Sequence, residues 1–142
     1  MAFLFDTDAL SEIVRRRPAP KFLQWLESVD RADQFTSAVT IGEIFEGAFK
    51  SEAPERHLHN LETRLLPSVT VLPFDFTTAR IFGEIQARLE RQGRGLEDLD
   101  LQIAATAIQH GLTLVTGNIR HFARVPGLSL SRVLVEARLS PA

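Results

Sequence analysis

The sequence predicts an α/β fold with a short, mostly parallel central sheet. Short apolar runs alternate with helical segments along the chain, the pattern of a parallel sheet buried on both faces. Several of those runs end in, or lead into, carboxylates. The 142 residues fit one domain, 1–142, with no repeat or linker to divide it.

The elements follow in order. Residues 2–6 read as a buried strand that ends in an acid, within "FLFDTD". Thr7 or Asp8 is placed to cap a helix carrying Ala9, Leu10, Ile13 and Val14, which stops at Arg15-Arg16-Arg17-Pro18. Pro18-Ala19-Pro20 opens a second helix with Phe22, Leu23, Trp25, Leu26 and Val29 on one face. Gln34–Ser37 is a strand. Ile41, Ile44, Phe45, Ala48 and Phe49 make one apolar helical stripe. Pro54 begins a further helix. Val69–Leu72 is a strand, and residues 75–92 form an amphipathic helix stopped by Gly93-Arg94-Gly95. A helix from Asp98 to His110 ends at Gly111. Leu112–Thr116 is an apolar strand, residues 117–126 read as loop, and Leu128–Leu130 as an edge strand.

Composition narrows the function. Hydrophobic residues make up 44% and charged residues 24%, as in an ordinary folded domain. With no cysteine, disulfides and thiolate metal sites are excluded. The opening residues do not read as a secretory leader, and no apolar run approaches the ~18 residues of a membrane span. A soluble cytoplasmic protein is the expectation. A net charge of −2 argues against a protein that coats nucleic acid by bulk charge, but not against a nuclease with a local basic rim.

In an open parallel sheet, ligands bind at the carboxyl ends of the strands. Asp6, Asp8, Glu43, Asp98, Asp100 and Asn118 all fall at such positions. Each acid also has a structural reading. Asp8 and Asp98 fit helix caps, Glu43 fits a capping box with Thr40, and Asp100 suits the positive end of a helix. Gathered at one end of a sheet, however, they repel one another, and a divalent cation is the usual remedy. Carboxylates favour Mg²⁺ or Mn²⁺. His57 and His59, two apart, do not share a helix face, so zinc is not expected.

Four stretches stand in order: "FLFDTDALSE", "TSAVTIGEIFEGAFKS", "DLDLQIAATAIQHGLTLVTGN" and "IRHFARVPGLSL". With them the chain resembles, over nearly its whole length, the PIN-domain ribonucleases and among them the VapC toxins of type II toxin–antitoxin pairs. The resemblance implies a PIN-like three-layer α/β/α fold and metal-dependent endoribonuclease activity on structured RNA of the tRNA or rRNA class, inhibiting translation. It implies Asp6, Glu43 and Asp100 as catalytic residues, with Asp6 and Asp100 holding Mg²⁺, for which Mn²⁺ can substitute. It selects Asp100 over Asp98 and Glu43 over Glu46. Thr7, Asp8, Thr116, Asn118 and His121 are supporting or phosphate-contacting candidates. A VapB-type antitoxin, an RNA substrate and a homodimer are the implied partners. Phe22, Trp25, Phe45 and Phe49 divide between core and antitoxin groove.

Two positions depart from the pattern. Relatives usually carry Asn where Asp8 stands; an ionised aspartate cannot donate a hydrogen bond, so Asp8 is either protonated or an added charge. A fourth acid is replaced by His121, which either touches a phosphate or stands by. A catalytically weakened PIN-fold binding module is therefore the alternative. A haloacid-dehalogenase-like phosphatase would explain Asp6-x-Asp8, but Ala9-Leu10 follows, and the chain's lysines, Lys21 and Lys50, are misplaced for it.

Overall fold

The computed structural model describes residues 1–140. Five parallel strands form one sheet in the order β3-β2-β1-β4-β5. They are β1 (Phe3–Phe5), β2 (Gln34–Ser37), β3 (Thr70–Leu72), β4 (Thr113–Val115) and β5 (Ser129–Ser131). In register, Leu4 pairs with Phe35 on one side and Leu114 on the other. The chain's first strand is thus its central one. The sheet grows outward from β1 in both directions, which places a crevice at the carboxyl ends of β1 and β4.

Successive strand residues face opposite layers. Leu4 and Leu114 point to one core, packed with Leu89, Leu101, Ile103, Ala104 and Phe122. Phe5 and Val115 point to the other, packed with Leu10, Phe22, Leu61, Leu65 and Leu134. The first layer is built by helices α5 (Phe76–Arg91) and α6 (Asp98–Gln109). The second contains α1 (Thr7–Val14) and α2 (Pro20–Glu27). Helices α3 (Ala38–Lys50) and α4 (Pro54–Asn60) join β2 to β3, with a wide helical turn over Leu61–Leu65. The three-layer α/β/α arrangement is the one expected. Trp25 closes the second layer, its ring edge-on to Phe3 at 4.9 Å and stacked on Phe22 at 5.8 Å. Phe45 and Phe49 instead stack on each other in solvent, Phe49 being 65% exposed. Among the described residues, no helix is long and apolar enough to cross a membrane.

Strand and helix positions match the sequence reading closely; the caps do not. Helix α1 is capped by Asp6, whose Oδ1 accepts the Ala9 N–H at 2.9 Å, rather than by Thr7 or Asp8. The strand ends at Phe5, so the helix starts one residue earlier than the acids alone imply. Helix α3 is capped by Ser37, and Thr40 sits inside the first turn with its hydroxyl on Ser37, so Thr40 and Glu43 form no capping box. Glu97, not Asp98, precedes α6, without a side-chain cap; Asp98 accepts from Gln86 instead. Two helices lie where none was expected: α7 (Ile119–Phe122), within the segment read as loop, and α8 (Val133–Leu139).

Candidate active site

Asp6, Thr7, Asp8, Glu43, Asp100 and Asn118 line one cavity of about 260 Å³, closed on its apolar side by Ile103 and Phe122. It lies in the crevice beyond β1 and β4. Each acid arrives by a different route. Strand β1 delivers Asp6 rigidly, and Asp6 is 6% exposed. Glu43 stands in the second turn of α3, and Asp100 in the first turn of α6. Thr116 and His121 do not line the cavity but touch residues that do.

Asp6 is the most constrained of these groups. Burial pushes its carboxyl up to about 6, and the charges of Asp8 and Asp100 push the same way. Hydrogen bonds from Thr116 and the Ala9 N–H oppose the shift without cancelling it. Thr116 is itself fully buried, and its Oγ1 also accepts the Asn118 N–H at 3.0 Å. The Thr7 hydroxyl donates to Glu43 Oε1 at 2.6 Å, tying α1 to α3 across the cavity mouth. Without this bond Glu43 is free to swing into solvent. If the chain cleaves RNA as its resemblance implies, Thr7→Val is expected to lower the cleavage rate constant roughly tenfold at saturating RNA, with little change in melting temperature. Steady-state kinetics and a thermal melt check both halves.

His121 Nε2 stands 2.9 Å from Asp100 Oδ2. With Asp100 as the acceptor, Nε2 is the donor of this pair, and His121 is tied to Asp100 from outside the cavity. Asp8 is held below the usual carboxylate range by the hydrogen bonds and charge of Arg138, which outweigh its partial burial. It is the ionised form expected as one alternative. Glu12 lies beneath it, 1% exposed. Burial pushes Glu12 up, but hydrogen bonds from the Ala19 N–H, Arg138 and Arg15 hold it below the usual range.

Arg138 and Glu12 were not among the residues singled out from sequence. Arg138 belongs to the unpredicted helix α8. Glu12 did carry a signal: it is an acid four residues after Asp8, on the same helical face.

Among the described residues, no three His, Asp or Glu side chains close into a ready metal cluster. The donor set nonetheless suits a hard cation. Mg²⁺ commonly takes only one or two carboxylates and keeps water elsewhere. A buried Asp6 whose ionisation is opposed by neighbouring acids is a group that a divalent cation would relieve. Asp6 and Asp100 would hold it, with Glu43 at the edge.

Residues 3–128 match the model of the PIN domain. The chain belongs to the PIN-domain family. Among curated relatives of this PIN domain, Ribonuclease VapC2 of Haemophilus influenzae is 35% identical over 133 residues, covering 90% of this chain and 95% of its own. The tRNA(fMet)-specific endonuclease VapC of Shigella flexneri is 35% identical over 128 residues, with the same coverage. Among solved structures, VapBC2 from Rickettsia felis, bound to a promoter DNA fragment, superposes with a TM-score of 0.85. It is 27% identical and covers 92% of this chain and 98% of its own. FitAcB from Neisseria gonorrhoeae gives 0.81 at 31% identity, with 92% and 97% covered. These relatives place the PIN domain in the VapC group.

Proposed function

We propose that this PIN domain is a divalent-metal-dependent endoribonuclease and the toxin of a toxin–antitoxin pair. The observation that carries the reading is the convergence of Asp6, Glu43 and Asp100, from three separate elements, on one cavity. When bound, Mg²⁺ supplies Lewis acidity toward the scissile phosphate and makes a water acidic enough to attack near neutral pH. The side chains do the rest. Asp6, fixed by Thr116 and the Ala9 N–H, and Asp100, oriented by His121, hold the cation at the crevice. Glu43, held by Thr7, accepts the proton of the attacking water. The water oxygen bonds to phosphorus, the bond from phosphorus to the leaving nucleoside oxygen breaks, and that oxygen takes a proton from solvent.

The substrate is structured RNA of the tRNA or rRNA class, and its cleavage stops translation. The tRNA(fMet)-specific name of the Shigella relative supports a tRNA. Not every arginine near the site serves phosphate equally. Arg15 is paired with Glu12, and Arg124 turns toward the Arg94 and Gly95 carbonyls. Arg16 and Arg17 are exposed, and Arg16 lines a second groove with Arg15 and Arg56.

That groove, about 700 Å³, shares Thr7 and Glu43 with the acid cavity. Val14, Ile44, Leu61 and Leu65 give it an apolar side. A VapB-type antitoxin segment lying there would reach the acids and block RNA, and the toxin–antitoxin complexes of Rickettsia and Neisseria support such a partner. Pairing of two toxin chains completes the assembly.

Purified protein incubated with tRNA and rRNA in Mg²⁺ is expected to cleave, and to stop when a chelator is added. Cleavage that persists in chelator, or that survives Asp100→Asn at full rate, overturns the reading.

A further inference from the structure

Arg138 reaches across the fold from α8 to α1 and grips two acids at once. Its Nη1 and Nη2 donate to the two oxygens of Asp8 at 2.8 and 2.9 Å. Its Nε donates to Glu12 Oε1 at 2.9 Å, and Nη2 stands 2.8 Å from the same oxygen. Asp8 and Glu12 are four residues apart on one helical face, so a single planar guanidinium spans both.

The loop after β4 runs directly against this pair. A side chain at Gly117 would overlap Asp8 Oδ2 and crowd Arg138 Nη1. The same loop gives Thr116 to Asp6 and Asn118 to the cavity wall. Ion pair, loop and acid cavity are therefore packed as one unit. Glu12 is sealed away from the cavity, whereas Asp8 lines it. Unpaired, Asp8 would add a full negative charge beside Asp6 and Asp100, and a carboxylate able to compete with them for a cation.

We propose that Arg138 is a positioning residue that offsets the charge of Asp8 and keeps both of its oxygens engaged, so that a divalent cation meets Asp6 and Asp100 without Asp8 as a ligand. This inference rests on the metal-dependent reading above.

The test is calorimetric titration of Mn²⁺ into metal-free protein without RNA, for the native chain, Arg138→Met, Asp8→Asn and the double variant. Arg138→Met is expected to bind Mn²⁺ roughly fivefold tighter and Asp8→Asn roughly threefold weaker, the scale of one unit charge acting through a solvated cleft. The double variant should return to within about twofold of the native chain, because the two charge changes cancel. A clamp that is merely structural gives the opposite sign: losing Arg138 loosens the site and weakens binding, and Asp8→Asn does not restore it. Unchanged or weaker binding by folded Arg138→Met overturns the proposal. If Arg138→Met does not fold, Arg138→Gln, which drops the charge but keeps hydrogen-bond donors for Asp8 and Glu12, decides: tighter binding supports the proposal, and unchanged or weaker binding overturns it. If the native chain binds no Mn²⁺ at all, the metal-dependent reading fails first and takes this assignment with it.

Discussion

Asp6→Asn is expected to melt about 5–10 °C above the native chain at pH 7.5 without divalent cations, while cleaving RNA roughly 100-fold more slowly or worse. The two effects share a cause. The Asp6 carboxyl sits at about 6 in the fold against an ordinary value of 3.8, so the folded state disfavours the charged form. With the folded value the higher, the fold is free of this cost below the unfolded value and bears it fully once pH has risen through about 6. Ionising Asp6 therefore destabilises the metal-free protein at neutral pH by on the order of 2–3 kcal/mol. Asparagine keeps an oxygen for the Ala9 N–H and carries no charge. The native chain should accordingly lose stability between about pH 4 and 6 in chelator, and lose less of it in Mg²⁺, which binds the charged form. The asparagine variant should show neither trend. Melts across that pH range decide the matter: a variant that melts below the native chain at pH 7.5 sinks the account.

Glu12→Ala is the second large change, and it acts on stability. Glu12 is buried and accepts from Arg15, from Arg138 and from the Ala19 N–H at 2.9 Å. It thereby closes the turn between α1 and α2 and anchors α8. Truncation leaves the Ala19 N–H without its acceptor and leaves Arg138 with Asp8 alone. Breaking one side of a buried ion pair costs about 3–5 kcal/mol, here reduced because Asp8 remains. A loss of about 3 kcal/mol in urea unfolding is expected, against well under 1 kcal/mol for Glu46→Ala. Glu46 carries only the exposed pair with Lys50. Equal, small losses in the two variants would mean that Glu12 is not the joint described.

What the sequence displays about this fold follows from burial. Phe3–Phe5, Gln34–Ser37 and Thr113–Val115 lie in the middle of a parallel sheet, so each is a short run with no charged residue that can be read locally. Gly93 and Gly111, at φ of 68° and 64°, end α5 and α6 where glycine was expected to stop them. The cap of α1 was misplaced because β1 ends at Phe5, one residue before the expected end, which gives the role to Asp6; β2 ends where expected, and there Ser37 caps α3 directly, in place of a Thr40–Glu43 box. No local pattern fixes the end of β1. The rule for sheet ends brought Asp6, Asp8, Glu43, Asp98, Asp100 and Asn118 together, and all but Asp98 line the cavity; the choice of Asp100 over Asp98 came from the family resemblance, not from spacing. The partner of Asp8 was not legible: it lies 130 residues away on a seven-residue helix with only two buried positions, Leu134 and Ala137, too short to show a helical period.

The central place of β1 also governs when the crevice can form. The strand that carries Asp6 is made first, yet one of its two neighbours, β4, begins at residue 113. Such long sequence separation slows assembly and makes it all-or-none. A growing chain without residues 113–115 has no completed crevice and no Thr116 against Asp6. The acids stay scattered while the ribosome is still building the chain, and the crevice is complete only as its last strands join the sheet.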